Sequence, residues 1–529
     1  MKKTIKTVLH RLWDMFSFVL ILVFLAIGTY FIYMYANGYR FNLQTQKVER
    51  TGVVSVETLP SRAEAFINGV DLGKTPKITT SISEGTATVK FQKTGYYDWS
   101  RIVPVNVEKS SLVYALLIKQ NPNKDEVFST EGDMELTSNN IYGYDNLFKT
   151  KNSIFFGTSH NSIYRLWRYD VNRNFWETSA NPYNIYTLND KNITGVSYSY
   201  APDGRNLLVF VNTTDPKTKK PNQTAITLLE VNGTQVVKNN TDLSPFVSYN
   251  ISWSQDGKYL LLDSSSELVT MNVSDGKKYL ILKKDPKKPV MWSTDDQGNL
   301  YTVEKDTTAT PNFTLINQMN LDGTNKIVLL NKIYALTEDK YIRTLQKDSF
   351  SSTPFGNPTD NILFSGSIDR VVVDQLAQGI FLSTNYASYW YDFNLKEYIL
   401  INPYQSEFIG ISTDKTFLLF RDKVNNKLGI FTIKTEENNP VEKLGTKFIV
   451  NNVKSSSNIS WLGLYNIVYP NSDGNLHIVD RDGYNDYSLF KSETSLYQFE
   501  TSKKYLHLIA NPTTDNDKTF TKIFKYTIN

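Results

Sequence analysis

The chain has no cysteine among its 529 residues, which excludes disulfide frameworks, zinc–thiolate sites and thiol nucleophiles. Whatever folds must hold by packing alone. Histidine is nearly as scarce. His10, His160, His477 and His507 stand singly, and no two have the i, i+4 spacing that sets paired metal ligands on one helix face. An excess of one charge is missing too. Lysine and arginine number 57 against 53 acids, and removing the four cations and one acid of the first fourteen residues leaves 53 against 52. A balance so even gives no footprint for nucleic acid, whose binding needs clustered cations facing phosphates. No G-x-S-x-G elbow, P-loop or dinucleotide glycine fingerprint occurs. Neither catalytic residues nor a metal or other cofactor are expected.

What the chain does have is one long apolar run. Phe16 to Tyr35 is twenty residues without a charge, which at about 1.5 Å per residue matches the ~30 Å hydrocarbon layer. Trp13 lies on one side, and Tyr30, Tyr33, Tyr35 and Tyr39 lie towards the other, where amphipathic rings favour the interface. A cleaved signal peptide would have a shorter apolar region ending in a small-x-small site. Met34-Tyr35-Ala36 puts a large residue first, so residues 16–35 are read as an uncleaved span in the lipid bilayer. Lys2, Lys3, Lys6 and Arg11 precede it, and Arg40, Lys47 and Arg50 follow. That bias puts the tail, 1–15, in the cytoplasm and the body outside, as a single-pass cell-membrane protein.

Residues 36–50 are polar without a sustained period and are expected to form a stalk. Strict alternation then begins: GVVSVET (52–58), AEAFING (63–69), TATVKFQ (86–92) and RIVPVNVE (101–108) place apolar residues at every second position, the pattern of half-buried strands. Turn signals separate them, among them Asn68-Gly69, Gly73-Lys74-Thr75-Pro76, Glu84-Gly85 and Thr94-Gly95. The ordered succession of Pro60-Ser61-Arg62-Ala63, Ile67-Asn68-Gly69, Gly73 to Pro76, Glu84-Gly85 and Lys93 to Tyr96 resembles a PEGA domain over 51–120. The resemblance implies a small β-sandwich that serves as spacer or binding module, and it brings no catalytic residues. Tyr97 and Trp99 are candidates for stacking on a sugar ring or packing on a neighbour, while Tyr96 is expected to fill the core.

Residues 121–136 read as a linker with one short strand. Beyond them, over 137–529, a repeat begins. YAPDGRNLLVF (200–210) and WSQDGKYLLLD (253–263) align position for position, and looser copies start near 144, 292, 373, 411, 461 and 499. Several are followed by a second Asp-Gly or Asn-Gly hairpin, as in NVSDGKK (272–278) and NLDGTNK (320–326). Two hairpins make a four-stranded antiparallel sheet. Eight starts average about 49 residues each, the length of a propeller blade. The runs resemble the TolB-type β-propeller repeat, and so the expected fold is all-β, with one transmembrane helix, a sandwich and a propeller of eight blades. The gap from Trp292 to Val373, holding the segment 349–361, leaves seven to nine open. The last repeat lacks a fourth strand, which 125–130 could supply.

Two acidic runs need a reading. STDDQG (293–298) is similar to the Asp-box hairpin of sialidases, but its glycine falls one position late, so it is read as a blade turn. Asp480, Asp482 and Asp486 in DRDGYND (480–486) suit a hard cation, yet they coincide with a repeat hairpin and lack the closing glutamate of an EF-hand. Together these features give a membrane-anchored extracytoplasmic scaffold of a bacterial-type envelope. It would bind an envelope protein or a cell-wall glycan through propeller loops, with Tyr183 and Tyr186 of SANPYNIYTL as aromatic anchors if they are not inter-blade packing. The alternative is a glycan-processing hydrolase or lyase in the propeller mouth.

Overall fold

The computed structural model describes residues 2–42, 47–107, 110–135, 153–171, 182–202, 205–214, 225–232, 235–285, 290–295, 297–306, 313–336, 362–365, 368–374, 378–384, 387–395, 397–434, 445–454, 459–491, 496–499, 504–510 and 520–529. It divides into two compact units, Met1–Asn121 and Pro122–Ile528.

The first unit opens with helix α1, Lys2–Ala36. Its stretch Met15–Ala36 is long and apolar enough to cross a membrane, and none of it is buried. The helix stops at Gly38, whose φ of +80° and amide bond to the Tyr35 carbonyl (3.2 Å) form a left-handed cap. A Cβ there would lie 2.3 Å from Val107, so only glycine fits.

The expected stalk is a β-hairpin. Strand β1 (Tyr39–Asn42) pairs antiparallel with the start of β2 (Lys47–Leu59), from Tyr39↔Arg50 to Asn42↔Lys47. Because β2 runs unbroken past residue 51, the segment is continuous with the sandwich.

Six more strands complete that sandwich: β3 (Glu64–Ile67), β4 (Val70–Lys74), β5 (Lys77–Ser83), β6 (Gly85–Gln92), β7 (Trp99–Val105) and β8 (Ser110–Leu116). One sheet runs β1-β2-β5 with β8 joined parallel to β2, and the other runs β4-β3-β6-β7. Period-2 alternation makes the core: Val54 and Val56 of β2 meet Ala65, Ile67, Val89, Phe91, Trp99 and Val103 from the facing sheet. Each large side chain buried there contributes roughly 1.5–3 kcal/mol. The β3–β4 turn is Asn68-Gly69, both with positive φ, as a two-residue hairpin requires.

In the second unit, eight sheets follow one another among the described residues. Each sheet packs against the next. Phe155 and Leu166 of the first pack on Tyr198 and Leu207 of the second, and Leu208 and Leu228 pack on Leu260 and Met271 of the third. Leu261 and Leu268 meet Leu300 and Met319, and Tyr301 and Ile316 meet Val371 and Tyr389. Further round, Phe381 and Trp390 pack on Leu418 and Phe431, and Leu419 and Ile430 on Ile467 and Val479. Phe490 stacks on Tyr526 at 3.9 Å. The eighth sheet then returns to the first, with Ile523 and Phe128 against Ile154, Phe156 and Trp167. The result is a closed ring, a β-propeller.

Closure uses both ends of this unit. Strand β9 (Asn123–Glu131) pairs antiparallel with the final strand, Phe520–Thr527, from Asn123↔Thr527 to Glu131↔Phe520. Across the seam the Tyr169 hydroxyl bonds His507 Nδ1 (2.9 Å) and Thr521 Oγ1 donates to the Gly132 carbonyl (3.1 Å).

The long gap after Trp292 holds one sheet, 290–336, plus a fifth strand, Ile362–Ser365, that joins it in parallel. The segment 349–361, the repeat start at 144–152, Asp203 and Gly204 of the first good repeat, and 500–503 lie outside the described residues.

The repeat turn has a visible mechanism. In WSQDGKYL, Ser254 Oγ donates to Asp256 Oδ1 (2.6 Å) and accepts from the Tyr259 amide (3.0 Å), and Gly257 takes φ +72°. Ser412, Asp414 and Phe417 repeat the bonds, with Lys415 in the left-handed position. In STDDQG, Asp295 Oδ1 accepts from the amides of Gln297 (3.0 Å) and Asn299 (2.8 Å).

Candidate functional site

A polar groove of about 580 Å³ opens on the sandwich, within the 300–1,000 Å³ typical of small-molecule sites. Three parts of the chain build it. The turn before β3 supplies Arg62, held at φ +63°, β3 and β4 supply Glu64 and Lys74, the exit of β6 supplies Gln92 to Tyr96 with Asp98, and Gln120, after β8, completes the rim. Gly95, at φ +83°, lets the chain turn there. Its carbonyl accepts from the Gln120 amide (3.0 Å), and the Tyr96 amide donates to the Lys93 carbonyl (3.0 Å).

Charges in the groove are mixed and positioned. Lys93 Nζ donates to the carbonyls of Ser61 (2.9 Å) and Arg62 (3.4 Å), tying the two rims together. Asp98 accepts from Gln92 Nε2 (2.7 Å) and pairs with Lys90 (2.9 Å). Burial pushes its carboxyl up, but those two hydrogen bonds and the lysine charge outweigh it and hold the pKa below the usual carboxylate value. Asp98 therefore stays an acceptor through the neutral range. With one half-buried ring, Tyr96, among cations, carboxylates and amides, the groove offers dense hydrogen bonding and little apolar wall.

Tyr96, expected in the core, packs its body against the core and also lines this groove. Tyr97 is half-buried, its amide bonded to the Ile118 carbonyl (2.9 Å), and is not among the lining residues. Trp99 is a correction. It is 1 % exposed and stacked on Phe91 at 5.1 Å, so no ring face remains for a sugar. Trp99, Val103 and Val105 share one strand face, and starting the strand at Trp99 instead of Arg101 would have revealed this.

Tyr183 and Tyr186 lie on a strand, Tyr183–Asn189, and not on a loop. Both pack against the core shared by the first two sheets. The Tyr183 hydroxyl donates to Asp170 (3.2 Å), which also receives Arg168 Nε (2.8 Å), and burial pushes the Tyr186 hydroxyl up. Pro182 and the strand's β-branched and aromatic residues suit an outer strand better than a connection.

In the seventh sheet, His477 is 8 % exposed and faces a carboxylate at each ring nitrogen: Asp486 at Nδ1 (3.0 Å) and Asp473 at Nε2 (3.3 Å). The Tyr469 hydroxyl donates to the other Asp486 oxygen (2.6 Å). Burial pushes the imidazole down, but the bonds and charges of Asp486 and Asp473 outweigh it and leave its pKa above the ordinary value. Burial, with the Asp486 bond added, pushes the Tyr469 phenol up. Asp480 accepts from Asn466 (2.7 Å) and Asn485 (2.8 Å). Asp480 and Asp486 of the acidic run thus serve the fold, and among the described residues no acid–histidine cluster has the arrangement of a metal site.

Comparison with known proteins gives one family model, the PEGA domain, matching residues 51–120. No curated protein matches the chain. Solved structures with a similar course include an oligogalacturonate lyase in complex with manganese, at 11 % identity and a TM-score of 0.37, covering 76 % of this chain and 98 % of that one. BamB from Moraxella catarrhalis matches at 12 % identity and a TM-score of 0.35, covering 76 % and 99 %. The sandwich over residues 51–120 is a PEGA domain, extended at its start by β1 and the first residues of β2, preceded in the chain by one apolar helix and followed by a β-propeller.

Proposed function

We propose that this protein is a membrane-anchored binding scaffold working outside the cytoplasm, without enzymatic activity, that holds a wall glycan or an envelope protein. The groove of the PEGA domain carries the reading. Its lining of Arg62, Lys74, Lys93, Asp98, Gln92 and Tyr96 suits a polyhydroxylated chain bearing a carboxylate, since amides and charged groups satisfy hydroxyls and the cations meet the carboxylate. The propeller adds a second broad surface of loops on a rigid ring, the usual placement of recognition residues. The apolar helix supports attachment to the membrane, and the basic residues ahead of it support a cytoplasmic N-terminus.

The test is binding of soluble wall-glycan fragments to the full chain in detergent, by calorimetry. Lys74→Glu should weaken binding at least tenfold with the melting temperature nearly kept, and Tyr96→Ser should weaken it as much while also losing the stability its packing on the core supplies. Equal binding by both variants removes the groove from the reading. The same fragments, incubated and analysed for cleavage, test the enzymatic alternative: turnover abolished by one carboxylate substitution would replace the scaffold with a glycan-processing propeller.

A further inference from the structure

The hairpin between helix and sandwich has an unusual surface. Register pairs Tyr39 with Arg50 and Phe41 with Val48, and in an antiparallel ladder these four side chains share one face. Phe41 is 60 % exposed and Val48 56 %. The opposite face carries Arg40, whose guanidinium lies 3.5 Å over the Tyr35 ring and donates to the Tyr35 carbonyl (2.7 Å). Hairpin and helix end are thus joined by the cation that caps the helix.

Geometry fixes where the exposed face lies. The Thr51 amide and hydroxyl both donate to the Gly38 carbonyl (2.8 and 3.1 Å), so the helix exit is level with Thr51. From that level β2 runs one way into the sandwich and the other way to the hairpin tip. Lys77, Glu84 and Arg101 keep the sandwich out of hydrocarbon, so Val48 and Lys47, on the other side of Thr51, lie at the headgroups. From Thr51 to Lys47 is about 13 Å at 3.3 Å per residue, against roughly 5–8 Å for the headgroup layer, so the paired strands run obliquely through that layer, with Val48 at its inner edge and the long Lys47 stem carrying its ammonium back to the phosphates.

We infer that the paired strands 39–42 and 47–50 form a lipid-contacting element, in which Phe41 and Val48 enter the headgroup–acyl boundary and Lys47 meets anionic headgroups. The occupant of this face is the bilayer, because β1 begins three residues after the end of the helix that enters it and Arg40 ties the two together, while Phe41 and Val48 stay exposed. This rests on the reading of α1 as a membrane span. The arrangement follows interfacial physics: an aromatic and a β-branched residue at the boundary, with cations at phosphate depth.

A cysteine-free chain makes the test direct. Single cysteines at Val23, Phe41, Val48 and Leu112 are spin-labelled in the full chain, reconstituted in phosphatidylcholine–phosphatidylglycerol vesicles. Collision with oxygen and with a water-soluble nickel chelate is then compared. Leu112, exposed on the sandwich, gives the aqueous reference and Val23 the lipid one. Phe41 and Val48 should be shielded from nickel and reached by oxygen, between the two references. If they match Leu112 while Val23 reads as lipid, the hairpin inference falls and the anchor stands. If Val23 itself reads as aqueous, the anchor reading fails and takes the hairpin with it.

Discussion

His477 has a carboxylate at each ring nitrogen, and both bonds are donated only when the ring is an imidazolium. Its folded pKa lies above the unfolded value of 6.5. The stabilisation is therefore complete below about pH 6.5 and is lost as pH rises through the folded pKa. Thermal melts from pH 5.5 to about 8.5 should show the wild type losing several degrees across the upper part of that range. His477→Gln should start lower and lack that step, and identical profiles for the two proteins would remove His477 from the account. At this scale the sequence was only partly readable. Turn residues such as Asn68, Gly69 and Gly257 carry their backbone angles in their chemistry. The partners of His477 lie four and nine residues away, on two turns that only the folded sheet brings to one ring. Burial of Trp99 was encoded in plain alternation, whereas the groove around Tyr96 draws on 62, 74, 92–98 and 120, which no local pattern connects.

Between elements, the strand that closes the propeller is the most consequential. β9 lies mostly exposed, with a burial pattern unlike the inner strands, and its hold on the ring comes from its ladder, from the Glu126–Lys522 ion pair (2.9 Å), from Lys124 over the Phe524 ring (3.9 Å) and from Phe128. That ring packs on Trp167 at 5.6 Å and joins the core of Ile154, Phe156 and Ile523. Phe128→Ala should cost about 2–3 kcal/mol, less than a fully buried phenylalanine because the site is half-open, and chemical denaturation would measure it. A loss under about 0.5 kcal/mol, the level of ordinary surface changes, would mean that the Phe128 ring adds little and that β9 is held by its ladder. The four-strand repeat pointed to this strand by arithmetic, since the last unit was one strand short. The hairpin at 39–50 had no such signal: its turn contains neither glycine nor proline, and four-residue strands give too little alternation to register.

For the whole molecule, the expectation is that everything after α1 lies outside the cytoplasm. Protease added to intact spheroplasts should release a large soluble fragment, and release only after lysis would reverse the orientation. The charge bias around the span carries this, and it was fully legible in the sequence, as was the division into a small sandwich and a ring. The ring's geometry adds a mechanical consequence. A partner gripped by the propeller while the anchor stays put would draw the connecting chain taut at Pro122. Along the chain that tension enters the ring through β9, at Asn123, beside Thr527. The eight residue pairs between β9 and the final strand are then the first in the propeller to feel the pull. They yield before any of the other seven sheets is strained, so the seam that completes the ring is also the place where force would open it.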